Sequence, residues 1–174
     1  MKRKILLVDG YNMIAFWQET RSLFNKGELD AARTILLNKL SNYASFEQLE
    51  IICVFDAQYM SGVRQTYDEF NVTVVFTEEE ETADDYIERL ATDLNNPRNQ
   101  VSVATSDLNE QWTVFAQGAL RVSARELEKR VAVTKSDLNQ MSQQLQMGKP
   151  PLRPMDNPTL RDLQKTMEKK KDDF

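Results

Sequence analysis

Lys4-Ile-Leu-Leu-Val-Asp9-Gly-Tyr-Asn12 is the stretch whose reading decides the fold. Four consecutive apolar residues read as a short, fully buried strand. Asp9 stands where that strand should end, and Gly10 permits a sharp turn away from the sheet. In open α/β sheets, ligands bind in the crevice at the carboxyl ends of the strands. A carboxylate placed there has a task, or it carries a large desolvation cost. Asp9 is therefore the first candidate for function.

Working outward, the same pattern recurs. Leu49–Ala57 reads as a second buried strand that ends in Asp56, and Asn71–Thr77 as a third. Val101–Thr105 is a fourth, with Asp107 just past its end, and a short fifth lies near Leu120–Val122. Glu28–Phe46 carries apolar residues at Leu29, Ala32, Leu36, Leu40 and Tyr43, the spacing of one helix face. Thr82 followed by Asp85 opens another helix, with Ala83, Ile87, Leu90, Ala91 and Leu94 on its apolar side. On that wheel Asp84 falls at the edge of the apolar face, turned toward the sheet, while Asp85 points away as a cap.

Glu110–Gln117 reads as a helix, Ser123 with Glu126 starts one through Val131, and Thr134 with Asp137 starts another to Met147. Tyr11–Gly27 and Met60–Phe70 read as loops or short irregular helices. Alternating strands and helices predict an α/β fold, a mostly parallel sheet with helices on both faces. Residues 1–147 form the expected domain. Gly148-Lys-Pro-Pro-Leu-Arg-Pro154 is a linker by composition, and Asn157-Pro158 begins a charged C-terminal helical extension, so 148–174 stands apart.

Composition narrows the chemistry. The 174 residues are 41% hydrophobic and 28% charged, ordinary for a soluble globular protein. No stretch approaches membrane-spanning length, and the apolar run after Met1-Lys-Arg-Lys breaks at Asp9, too soon for a signal peptide. The expectation is a cytoplasmic protein with no membrane partner. Cys53, the only cysteine, lies inside Ile51-Ile-Cys-Val-Phe55 and reads as a small buried hydrophobe. No G-x-G-x-x-G follows any strand, which argues against a nucleotide-binding dehydrogenase, and no small-molecule organic cofactor is expected.

Histidine is absent. That excludes Ser-His-Asp hydrolysis, histidine-based RNA cleavage and histidine-ligated zinc. Hydrolytic chemistry here must run on carboxylates holding a hard, oxygen-loving cation such as Mg²⁺ or Mn²⁺. The net charge of −5 is unevenly spread. Residues 1–111 hold 10 Lys and Arg against 19 Asp and Glu, a net −9, and residues 112–174 hold 12 against 8, a net +4. An acidic body with a basic flank fits a metal centre beside a polyanion-binding surface. It equally fits a domain with a solvated helical tail.

In a parallel sheet Asp9, Asp56 and Asp107, together with Asp84, project from one edge. Such a cluster repels itself at low dielectric and needs a cation, as metal-assisted phosphoryl transfer does with one or two Mg²⁺ ions. The plain alternative is that aspartate is common after strands because it caps turns. Four such residues with no basic residue beside them favour the metal site.

Val8-Asp9-Gly10-Tyr11-Asn12, Val54-Phe55-Asp56-Ala57, Glu81-Thr82-Ala83-Asp84 and Ala104-Thr105-Ser106-Asp107 resemble the motifs of NYN domains, a PIN-like nuclease family. The stretch Glu110–Glu126 is similar to the YacP-type branch, and together the five motifs cover about residues 4–131. The resemblance implies a PIN-like sheet and a Mg²⁺- or Mn²⁺-dependent endoribonuclease. In this branch it further implies association with the ribosome and cleavage of mRNA during translation. It places Asp9, Asp84 and Asp107 on the family's metal-binding positions. Asn12 falls near the scissile phosphate or orients Asp9, and Asp56 falls on an acidic position that binds metal directly or supports a residue that does. Thr105 and Ser106 match a hydroxyl-bearing turn.

Arg121 and Arg125 are candidate RNA contacts, since guanidinium binds phosphate bidentately. Pairing with Glu126 and Glu128 is the competing reading. Trp112 and Phe115 offer base stacking, but their helical spacing favours the core. Two other function classes stay open: a catalytically silent RNA- or ribosome-binding module of the same fold, and a receiver-like signalling domain. The latter wants an acidic pair after the first strand and a lysine after the fifth, where Gly10-Tyr11 and Ser123 stand.

Overall fold

The computed structural model describes residues 1–59, 67, 69–116 and 118–148, apart from the side chains of 108–111. The final linker and helix expected beyond Gly148, and most of the segment Met60–Phe70, lie outside the described residues. Two compact units divide the chain, Met1–Lys135 and Ser136–Phe174. The first holds the whole sheet.

Five strands form one sheet in the order β3-β2-β1-β4-β5: β1 Arg3–Asp9, β2 Glu50–Phe55, β3 Thr73–Phe76, β4 Asn99–Thr105 and β5 Leu120–Ser123. Every pairing is parallel. The chain builds outward from β1 through β2 to β3, then returns to the other side of β1 with β4. The order therefore reverses beside β1, and such a reversal opens a crevice at the carboxyl ends of the strands.

Alternation along the strands divides the core into two layers. Leu6 and Val8 of β1, Cys53 and Phe55 of β2, Ala104 of β4 and Val122 of β5 face one side. That side is covered by α1 (Gly10–Phe16), α2 (Gln18–Asn25), α3 (Leu29–Glu47) and the start of α6 (Ala124–Gln146). Ile5, Leu7, Val54, Val101 and Val103 face the other, under α4 (Ala83–Leu94) and α5 (Leu108–Ala116). The α/β fold expected from the sequence, helices on both faces of a parallel sheet, is the fold observed. Cys53 is fully buried, and burial pushes its thiol pKa well up, so it behaves as a core hydrophobe.

Two stretches depart from expectation. Tyr11–Gly27 is not a loop but two helices in succession, separated at Trp17. The Trp17 indole N–H donates to the carbonyl of Ala124 at 3.0 Å, pinning that junction to the start of α6. The two helices expected around Ser123–Val131 and Thr134–Met147 are one, α6. Thr134 starts nothing: it is buried, and its hydroxyl donates back to the carbonyl of Arg130 at 3.1 Å within the helix.

Candidate metal centre and nucleic-acid interface

Asp9 ends β1 and at once becomes the N-cap of α1, its Oδ1 accepting the backbone N–H of Asn12 at 3.3 Å. That local economy depends on Gly10. A Cβ at position 10 would lie 2.3 Å from Cε1 of Phe55, a fully buried ring. Only a residue without a side chain lets the helix leave the sheet directly above β2.

Asp9 is 93% shielded from solvent by geometry, being 7% exposed. In the alternation of β1 it continues the face of Ile5 and Leu7, the side that α4 covers. Thr82 caps α4, its hydroxyl accepting the N–H of Asp85 at 3.1 Å. Asp84 therefore sits in the first turn, half-buried and close enough to Asp9 for the two carboxyls to repel. Burial first, then repulsion from Asp84, push the Asp9 pKa from an ordinary 3.8 up to about 7, against the opposing pull of the Asn12 N–H. Asp56 adds a smaller repulsion.

Asp56 is tied on both oxygens. Oδ1 accepts the N–H of Gln58 at 3.0 Å, and Oδ2 accepts that of Ala83 at 3.4 Å, at the start of α4. It thus fastens the end of β2 to the helix that carries Asp84. Buried Thr77, which the sequence did not single out, supports the same corner by accepting the N–H of Ala57 at 3.0 Å.

Across the crevice, Asn12 Oδ1 accepts the N–H of Ser106 at 2.6 Å. Thr105, buried at the end of β4, accepts the N–H of Asp107 through its hydroxyl at 3.1 Å. Asp107 itself is exposed. The structure thus brings Asp9 and Asp84 into contact, sets Asp56 near enough to be felt, and leaves Asp107 at the open rim. Among the described residues no three acidic side chains converge into a ready-made metal-binding group.

The donor chemistry nonetheless fits Mg²⁺ or Mn²⁺. Every candidate ligand is a hard carboxylate oxygen. Asp9, with its pKa raised to about 7, also retains a proton that a dication would displace. A cavity of about 420 Å³, lined among others by Lys4, Tyr43, Gln100, Phe115, Arg121 and Leu127, has none of these carboxylates in its wall.

The candidate RNA contacts sit on the flank. Arg125 is exposed in the first turn of α6. The acids expected to neutralise these arginines are engaged elsewhere: Glu126 pairs with Arg130, and Glu128 accepts the N–H of Gln18 at 2.8 Å. Arg121 instead lies over two aromatic rings, its guanidinium carbon 4.6 Å from the centre of Trp112 and 5.8 Å from that of Phe115. Both rings are exposed, at 58% and 54%, so the core reading of this pair is wrong. Among the described side chains of α5, Val114 is the buried one.

A buried cation also escaped the sequence reading. Arg33 is 4% exposed. It donates to the hydroxyls of Tyr67 at 2.8 Å and Tyr11 at 2.7 Å, and it pairs with Asp30. Its place one turn after Leu29 and before Leu36 on the inward face of α3 was the available signal.

The sequence matches the family model described as the YacP-like NYN domain over residues 6–168. A Bacillus subtilis (strain 168) protein described as "Uncharacterized protein YacP" is 43% identical over 146 residues, 84% of this chain and 85% of that one. The crystal structure of Rae1 (YacP) from Bacillus subtilis superposes with a TM-score of 0.73 at 40% identity, covering 96% of this chain and 94% of that one. A mutant form of the same protein gives 0.72 at 42% identity, over 84% and 85%. The sheet and its flanking helices are thus of the PIN-like kind.

Proposed function

The chain belongs to the YacP-like NYN domain family, and from that membership and the acidic edge we propose a Mg²⁺- or Mn²⁺-dependent endoribonuclease. It hydrolyses RNA phosphodiester bonds, acting in the cytoplasm on mRNA at the ribosome during translation. The observation that carries this reading is buried Asp9, set against half-buried Asp84 with Asp56 behind it, at the point where the sheet order reverses. Burying a carboxyl beside two other acids is costly for structure alone and makes sense where a cation is to be held.

In this reading Asp9, Asp84 and Asp107 hold one or two ions, and Asp56 keeps Asp84 in place through the start of α4. A bound Mg²⁺ or Mn²⁺ would supply Lewis acidity toward the phosphodiester and a more acidic water. Asn12 sets the gap between the ends of β1 and β4. Arg125, at the sheet edge, and Arg121 supply positive charge to a chain that otherwise repels RNA.

Cleavage of an RNA substrate by wild type and Asp84→Asn, with and without ribosomes, in Mg²⁺ or in EDTA, tests the proposal. Wild type should cut in Mg²⁺ alone among the four metal and variant combinations, and faster with ribosomes. Equal cleavage in EDTA, or by Asp84→Asn, would overturn it. Binding without any cleavage would identify a silent RNA- or ribosome-binding module. Arg121→Glu combined with Arg125→Glu should weaken ribosome co-sedimentation while leaving the fold intact.

A further inference from the structure

We propose that Trp112, braced by Arg121, is a stacking platform for one unpaired base of single-stranded RNA. The proposal rests on the nuclease reading and adds to it a site that selects unpaired substrate. Trp112 and Phe115 lie one turn apart on α5 and are more than half exposed. Scattered exposed aromatics need no explanation, but here two rings and the exposed Leu120 lie beside a shared cation.

The fold places that cation deliberately. Val122 of β5 points to the α3 and α6 side, so Arg121, its neighbour, points to the α5 side and lies across both rings. Among the described residues the salt bridges do not include Arg121. A flat π surface beside a guanidinium suits a planar base attached to a phosphate. A base pair in a duplex is already stacked on its neighbours and has no free face to offer.

Position joins the platform to the acids. Trp112 is five residues past Asp107, about 7.5 Å along a helix axis. Thr105 and Ser123 are the last β4–β5 partners, and Arg121 is two residues back from that edge, about 6.6 Å. The platform therefore lies roughly 7 Å below the carboxyl edge and two strand spacings, about 10 Å, to the side of β1, on α5, whose Val114 packs in the same layer as Ala83 and Ile87 of α4. A strand crossing the edge can lay a base on Trp112 while its backbone passes the carboxylates.

The chain carries its own probe. Its two tryptophans differ, since Trp17 is 2% exposed and hydrogen-bonded whereas Trp112 faces solvent. The full chain is titrated in EDTA at low salt with a single-stranded oligoribonucleotide, an abasic oligomer of equal length and a blunt RNA duplex. Cleavage of the single strand in Mg²⁺ is measured in parallel. Only the base-bearing single strand should quench tryptophan emission. Trp112→Ala should bind it about tenfold more weakly, the worth of one stacked base, while binding the abasic oligomer like wild type. Trp112→Phe should recover most of the loss.

Binding without quenching, or unchanged affinity in Trp112→Ala, overturns the platform and leaves the nuclease reading standing. Loss of ribosome co-sedimentation in Trp112→Ala with wild-type oligomer binding gives this face to a protein partner and also overturns it. Absence of both RNA binding and cleavage in wild type overturns the nuclease reading and the platform together.

Discussion

The side-chain carbonyl of Asn12 accepts the backbone N–H of Ser106 at 2.6 Å, joining residues 94 positions apart across the carboxyl ends of β1 and β4. The same residue gives its own N–H to Asp9. One asparagine thus fixes the buried carboxylate and the rim that carries Asp107. Asn12→Ala should cost about 0.5–1.5 kcal/mol, because the exposed Ser106 N–H can turn to water. Its larger effect should be on cleavage, measured beside the urea midpoint. A loss of cleavage no greater than the loss of stability would make Asn12 a purely structural tie.

The proton held by Asp9 makes metal-free stability pH-dependent. Asp9 in the fold binds its proton up to about 7, whereas the unfolded chain releases it near 3.8. Between those values the folded state holds more protons, so stability falls as pH rises through the window and then levels off. Melting curves in EDTA from pH 4.5 to 8 should show this decline, and Asp9→Asn should flatten it. At pH 8 the variant should melt several degrees above wild type, since each kcal/mol moves a chain of this size by about 2–4 °C.

Divalent cations should reverse that trend. Binding that displaces the Asp9 proton strengthens as pH rises toward and past 7. Mn²⁺ should therefore raise the wild-type melting temperature more at pH 8 than at pH 6, by the usual mass-action dependence on concentration. Asp84→Asn should remove most of the increment. An equal Mn²⁺ effect on both proteins would place the cation elsewhere.

Gly10→Ala should be destabilising by about 1–3 kcal/mol through overpacking. The new methyl would strike the Phe55 ring, which is fully buried and packed against Tyr11 and Phe76. Chemical denaturation of this variant alongside Gly27→Ala separates two causes. Gly27 has open space around it and a φ of 75°, so any loss there comes from backbone conformation and not from contact.

Much of this was legible in the residues. β1, β2 and β4 are apolar runs broken by carboxylates, and nothing competes with a buried parallel strand as their reading. Asp84 was placed correctly because helical periodicity fixes direction relative to its neighbours. The same periodicity misplaced Trp112 and Phe115: spacing says that two residues share a face but not whether that face is turned inward. α1 was invisible because its cap, Asp9, is also the last residue of a strand. Thr134 misled because a threonine hydroxyl serves equally to start a helix or to bond back inside one. That Asp56 spends both oxygens on backbone amides belongs to three dimensions and leaves no trace in the chain.

The central position of β1 has a further consequence for the order of events in folding. Its two partners are β2, about 45 residues along by register, and β4, about 96 along. Contacts so distant in sequence form slowly. A chain synthesised as far as Leu94 already carries Asp9, Asp56 and Asp84, yet it has no β4 to close the far side of β1 and no Ser106 amide for Asn12 to hold. Its first strand is still a sheet edge, open to pairing with other chains. The acidic edge is thus a late product of biosynthesis, and the newly made protein cannot acquire its candidate active geometry until most of its own message has been read.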